Sequence, residues 1–109
     1  MQGEIWSANL DPTKGSEQAG QRPVVIISGN TLNEVMPIVI IVPITSKIKS
    51  YPTCVRLPAD KITGLKKESE AIPFQVRAVA KKRLTKKIGS VSEEELKEIL
   101  KGLFLVLTH

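Results

Sequence analysis

The chain has 109 residues, 41% of them hydrophobic and 25% charged, which is ordinary usage for one globular domain and argues against a disordered or fibrous protein. Sixteen Lys and Arg against eleven Asp and Glu give a net charge of +5, a balance that attracts polyanions. A single cysteine, Cys54, rules out an internal disulfide framework, and the one histidine, His109, speaks against a two-histidine ribonuclease or a histidine-dependent triad.

Residues 4–8 read as a first strand anchored by Ile5 and Trp6, with Trp6 as an interior or interface anchor. Residues 9–21 contain Asp11-Pro12, Lys14-Gly15-Ser16 and Ala19-Gly20, turn formers that predict a long polar loop. In so small a domain a loop of that length is the first place to seek a site. Residues 23–28 and 38–44 are dense in β-branched side chains and predict two buried strands. Residues 53–57 alternate and suggest another strand, with Cys54 on its core side or flank. Residues 71–80 predict one further strand, on which Gln75 and Arg77, two apart, share a face.

From Arg77 to Lys87 there are six basic residues and no acid, with Lys47 and Lys49 a second basic spot and Lys66-Lys67 a third. Such charge suits nucleic acid as readily as it solvates a surface. Aromatic residues are few (Trp6, Tyr51, Phe74, Phe104), so a broad base-stacking platform is not expected. Ser92-Glu93-Glu94-Glu95 is a capping box, with Val91 and Leu96 placed for a hydrophobic staple. Leu96, Ile99, Leu100, Leu103, Phe104 and Leu107 then lay an apolar stripe along a C-terminal helix, in which Gly102 is a modest cost. The fold expected is mainly β with α: five or so antiparallel strands in a curled, partly closed sheet, and one helix. No glycine-rich phosphate loop, HExxH or acidic magnesium cluster is present, so no cofactor or metal is expected. No run approaches the ~20 apolar residues of a membrane span, and Gly3-Glu4-Ile5-Trp6 does not open a signal peptide, so a cytoplasmic domain over residues 1–109 is expected.

The segment Asp11-Pro12-Thr13-Lys14-Gly15-Ser16-Glu17-Gln18-Ala19-Gly20-Gln21-Arg22-Pro23, followed by its valine-isoleucine strand, resembles the opening motif of the MazF/PemK toxins, ribonuclease halves of bacterial toxin–antitoxin pairs. Val42-Pro43-Ile44-Thr45-Ser46 is similar to that family's second motif, Ile72-Pro73-Phe74-Gln75-Val76-Arg77-Ala78-Val79 to its third, and Lys82-Arg83-Leu84-Thr85-Lys86-Lys87-Ile88-Gly89 to the approach to its final helix. The resemblance implies an SH3-like antiparallel barrel, a homodimer, and a cognate antitoxin whose extended acidic segment lies across the RNA groove. It further implies Arg22 and Thr45 as the central catalytic pair, Glu17 and Gln18 beside the substrate, and Ser46, Gln75 and Arg77 shaping the groove. Lys14 and Lys47, on the adjoining loops, are expected to bind RNA. Some members carry an acid where this chain has Phe74, which leaves Glu17 as the proton acceptor.

The reaction so implied is metal-independent, sequence-selective cleavage of single-stranded mRNA, the 2′-hydroxyl attacking its neighbouring phosphate. Arg22 offers a permanently charged fork for two phosphate oxygens, and Thr45 a hydroxyl for a third. The plainer readings are an Arg22 paired with a carboxylate at a strand start, a Thr45 capping a turn, and a Glu17 that positions Arg22. Two other functions compete: a CcdB-like toxin of the same fold that inhibits DNA gyrase, and a barrel that binds RNA without cutting it.

Overall fold

The computed structural model describes residues 1–10 and 20–109. In chain order it contains β1 (Glu4–Asn9), β2 (Gln21–Ile26), α1 (Asn30–Val35), β3 (Ile38–Thr45), β4 (Val55–Leu57), β5 (Ser69–Ala71), a 3-10 turn (Pro73–Gln75), β6 (Arg77–Ala80), a second 3-10 turn (Lys81–Arg83), β7 (Leu84–Ser90) and α2 (Glu93–Thr108). The strands form one antiparallel, seven-stranded sheet in the order β4-β5-β3-β2-β1-β7, with β6 also on β3. The two aliphatic runs are its middle. Val25, Ile27, Val42 and Ile44 enter one core cluster, while Val24, Ile26, Val39 and Ile41 enter another. Period-two alternation sends them to opposite faces, and burial of both faces explains why the runs lack polar positions.

The single strand expected over residues 71–80 is broken in two. β5 pairs with β3 at Ile44 and Thr45, β6 pairs with it from Ile38 to Ile41, and the Pro73–Gln75 turn spans the gap between them. Prolines account for the break. The Pro43 carbonyl accepts from the Ile72 amide at 3.0 Å, so the edge on which Pro43 lacks an N–H is the edge facing the gap. Pro73 opens the turn, which closes through Gln75 N–H to Ile72 O at 3.0 Å. Gln75 and Arg77 are therefore not two positions of one strand.

β7 was not anticipated, and it is legible only through pairing: β1 holds it in a ladder with register shifts after Ile5 and Ser7. It also meets the turn that follows β4. Ser90 N–H donates to Ile62 O at 2.9 Å, Gly64 packs on the Ile88 carbonyl with φ +71°, and Gly89 packs on the carbonyls of Ile62 and Thr63. That seam curls the sheet toward a barrel. The short α1 also escaped the sequence reading, because it lacks an apolar stripe; buried Asn33 anchors it by donating to Ser28 O at 2.8 Å.

α2 begins at the expected capping box, with Glu95 N–H to Ser92 Oγ at 3.0 Å and Ser92 N–H to Glu95 Oε1 at 2.8 Å. Ile99 is fully buried in the first cluster, with Leu96 and Leu103 packed against it. The rest of the stripe stays in solvent: Phe104 and Leu107 are 64% and 72% exposed. Gly102 is more than a cost to the helix. A Cβ there would stand 2.6 Å from the Thr53 carbonyl, so glycine lets α2 approach the segment entering β4.

Trp6 is half-buried against the second cluster and donates from Nε1 to Glu4 Oε1 at 2.9 Å. Burial alone would raise the Glu4 carboxyl, but the hydrogen bonds from Trp6 and Lys87 prevail and hold it below its ordinary value of 4.5. A carboxyl depressed in the folded state contributes stability above its unfolded pKa and loses it as pH falls through the folded one. Thermal melts taken from neutral pH into the acid range should therefore show Glu4→Gln less acid-sensitive than the parent below 4.5. Parallel melting curves would contradict that coupling.

Candidate active site

The register of the central strands creates the site. The β2–β3 ladder ends at Val24↔Pro43, and Arg22 and Thr45 each lie two residues beyond that pair on their own strands. Residues two apart on a strand share a face, which puts Arg22 on the face of Val24 and Ile26 and Thr45 on that of Pro43 and Ile41. Arg22 and Thr45 line two adjoining clefts. The smaller, about 530 Å³, is completed by Leu10, Gly20, Ile72, Gln75 and Arg77. The larger, about 850 Å³, runs past Ser46 and Lys47 to residues 64–67 and 86–88. The break between β5 and β6 opens the first cleft, since Pro43, Ile72 and Gln75 sit at that gap.

Arg22 is exposed, lines both clefts, and among the described residues forms no ion pair. Thr45 is half-buried, and its Oγ1 accepts from the Lys47 amide at 3.1 Å. That bond is the turn-capping expected of an ordinary threonine, and it leaves the hydroxyl proton free to donate. Beyond Thr45, Glu70 lies in register on β5, 3% exposed, and its carboxylate accepts from the Lys49 amide at 2.9 Å. The chain leaving β3 is thus tied back at two points, which fixes Ser46 and Lys47 beside Thr45.

The sequence-derived set divides three ways. Arg22, Thr45, Gln75 and Arg77 meet in the smaller cleft, while Ser46 and Lys47 join Arg22 and Thr45 in the larger. Lys14, Glu17 and Gln18 lie outside the described residues. Leu10 and Gly20, which border that segment, both line the smaller cleft and are joined by Leu10 N–H to Gly20 O at 2.8 Å. Phe74 is exposed and packs its ring 6.1 Å from that of Tyr51, with no carboxylate in its place. Cys54 is half-buried, and burial and the Glu70 carboxylate push its thiol up, which favours the protonated form over the nucleophilic thiolate.

Sequence reasoning missed the apolar lining from Leu10, Ile44 and Ile72, and the wall from Gly64 to Lys67. Only the Lys66-Lys67 pair signalled that wall. Gln21 also went unremarked. Its Oε1 accepts from Ser7 Oγ at 3.1 Å and Thr85 Oγ1 at 3.2 Å, bracing the residue before Arg22 between β1 and β7. Among the described residues, no helix is long and apolar enough to cross a membrane.

Comparison with known proteins adds four findings. A family model described as "PemK-like, MazF-like toxin of type II toxin-antitoxin system" matches residues 1–107. The curated Endoribonuclease MazF9 of Mycobacterium tuberculosis is 40% identical over 111 residues, covering 96% of this chain and 93% of that protein. Among solved structures, MazF of Deinococcus radiodurans superposes with a TM-score of 0.80 at 26% identity, covering 98% of this chain and 94% of that one. A MazE-MazF structure from the same organism superposes with a TM-score of 0.76 at 22% identity, covering 98% and 92%, a likeness of fold alone.

Proposed function

The chain belongs to the PemK-like, MazF-like toxin family of type II toxin–antitoxin systems, and from that premise we propose that it is an endoribonuclease cutting single-stranded RNA at the Arg22–Thr45 centre. The observation that carries this reading is that Arg22 and Thr45, on neighbouring strands, both line the two clefts where these join. The 2′-oxygen attacks the adjacent phosphorus, its proton passes to the acceptor, the bond to the 5′ oxygen breaks, and that oxygen takes up a proton. Arg22 holds the charge that accumulates on the phosphorane, and Thr45 donates its hydroxyl proton to a phosphate oxygen.

Glu17 is the proton acceptor in this scheme, supported by the cleft positions of Leu10 and Gly20 at the two ends of its segment. Gln18 and Lys14 belong to the same segment and bind the substrate from that side. The smaller cleft combines Leu10 and Ile72 with the Gln75 amide, and a base beside the cleaved linkage fits that pairing of apolar wall and hydrogen-bonding edge. This is the source of sequence selectivity, with Arg77 in the same cleft and Ser46 in the larger one that adjoins it. Further parts of the reading are a cognate antitoxin whose acidic segment covers the clefts, as the MazE-MazF fold relatives suggest, and a cytoplasmic setting. A homodimer is supported by the apolar face of Leu100, Phe104 and Leu107. A gyrase-directed toxin would have no use for an arginine and a threonine brought together at a cleft junction.

Arg22 provides the positive charge that a metal ion supplies in other phosphoryl chemistry, so cleavage of an RNA pool should continue in excess EDTA. A 2′-deoxy substitution at the cut nucleotide should abolish it. Cleavage that stops with EDTA, or that tolerates the deoxy sugar, would overturn the mechanism.

A further inference from the structure

We propose that Lys66, Lys67 and Lys86, together with Lys47, form a sequence-independent phosphate track that holds single-stranded RNA beyond the linkage being cut; the proposal rests on the ribonuclease reading above. The larger cleft shares Arg22, Ile44 and Thr45 with the smaller one, so a strand whose phosphate sits at Arg22 continues directly into it. Lys66 and Lys67, before β5, and Lys86 and Lys87, on β7, all line it. Among the described residues, no Asp, Glu or aromatic side chain lines this groove. Lys87 is partly satisfied by Glu4, at 3.3 Å, whereas Lys47, Lys66, Lys67 and Lys86 have no carboxylate partner among the described residues.

That composition selects backbone over bases. Ammonium groups bind phosphates as point charges, and with no aromatic side chain among the described lining residues the groove offers bases no stacking platform. The spacing of the walls is also fixed. Gly64 against the Ile88 carbonyl, Gly89 against the Ile62 and Thr63 carbonyls, and the Ser90–Ile62 hydrogen bond lock the lysine-bearing turn to β7. The groove therefore keeps unpaired like charges side by side, an arrangement a polyanion relieves.

The test compares the full chain with its K66Q/K67Q/K86Q variant, using 2′-O-methyl RNA, which cannot supply the nucleophile. Anisotropy titrations use oligonucleotides of about 12 and about 3 nucleotides, the longer within the range of single-strand sites on small barrels. Salt is varied between roughly 50 and 200 mM, where phosphate contacts register as counterion release. For the longer strand, the variant's slope of log affinity against log salt should be shallower by about 2, and its Kd at the lowest salt roughly tenfold higher or more. The ratio of long- to short-strand affinity should fall with it. Coincident slopes and an unchanged ratio would overturn the track. Binding is read here without cleavage, so a chain that cuts no RNA would sink the nuclease reading through its own assay and leave this measurement decisive for the groove.

Discussion

Replacing Arg22 by alanine is expected to lower the single-turnover rate of RNA cleavage by about 10³ or more, while the melting temperature stays within a few degrees of the parent. Both halves follow from placement. The side chain is exposed and forms no ion pair among the described residues, so its loss removes little that holds the fold together. In the reaction, however, its fork is, among the described residues, the one charged group that lines both clefts. Arg22→Lys separates charge from geometry: a lysine keeps the field but not the two parallel donors, so it should restore only part of the rate. An unaltered rate in a folded Arg22→Ala protein would remove this residue from the chemistry.

The largest loss of stability from a single methyl group is expected at Gly64. A Cβ built there would lie 2.2 Å from the Ile88 carbonyl oxygen, and the backbone φ is +71°. Backbone atoms on β7 cannot rotate aside as a side chain would, so overpacking and left-handed strain add. We expect Gly64→Ala to cost about 3 kcal/mol or more, a fall of roughly 10 °C or more in melting temperature. Gly29→Ala is the internal comparison. Nothing lies within 4 Å of a Cβ at that position, and the loss there should be small. Equal melting temperatures for the two variants would show that the seam between β7 and the residue 60–65 turn yields easily.

The two strands that carry the centre were legible because both requirements coincide in them: β-branched density for the sheet, and a polar residue at the end of each run. The C-terminal helix was legible through its capping box, a signal local enough to need no partner. What escaped depends on tertiary pairing. β7 has Leu84, Ile88 and little else apolar, and becomes a strand because β1 offers it a ladder. The split of residues 71–80 depends on which edge Pro43 turns toward, and that is decided by β2 on the opposite side. Gln75 and Arg77 still share a cleft with Arg22, although the strand that was expected to unite them is absent. The lysine-lined wall could be seen only as scattered charge, since no periodicity relates residues 66 and 67 to residue 86.

The two-sided burial of β2 has a further consequence. Its inward and outward aliphatics are nearly matched in size, so oil-like packing discriminates poorly between this alignment and one displaced by a single position. Such a displacement would carry the guanidinium to the helix side of the sheet and empty the centre. The alignment must then be enforced from the polar end of the strand, where Gln21 is clamped between Ser7 and Thr85 and Leu10 is latched to Gly20. Chemistry in this small domain is aimed by its fringe rather than by its interior.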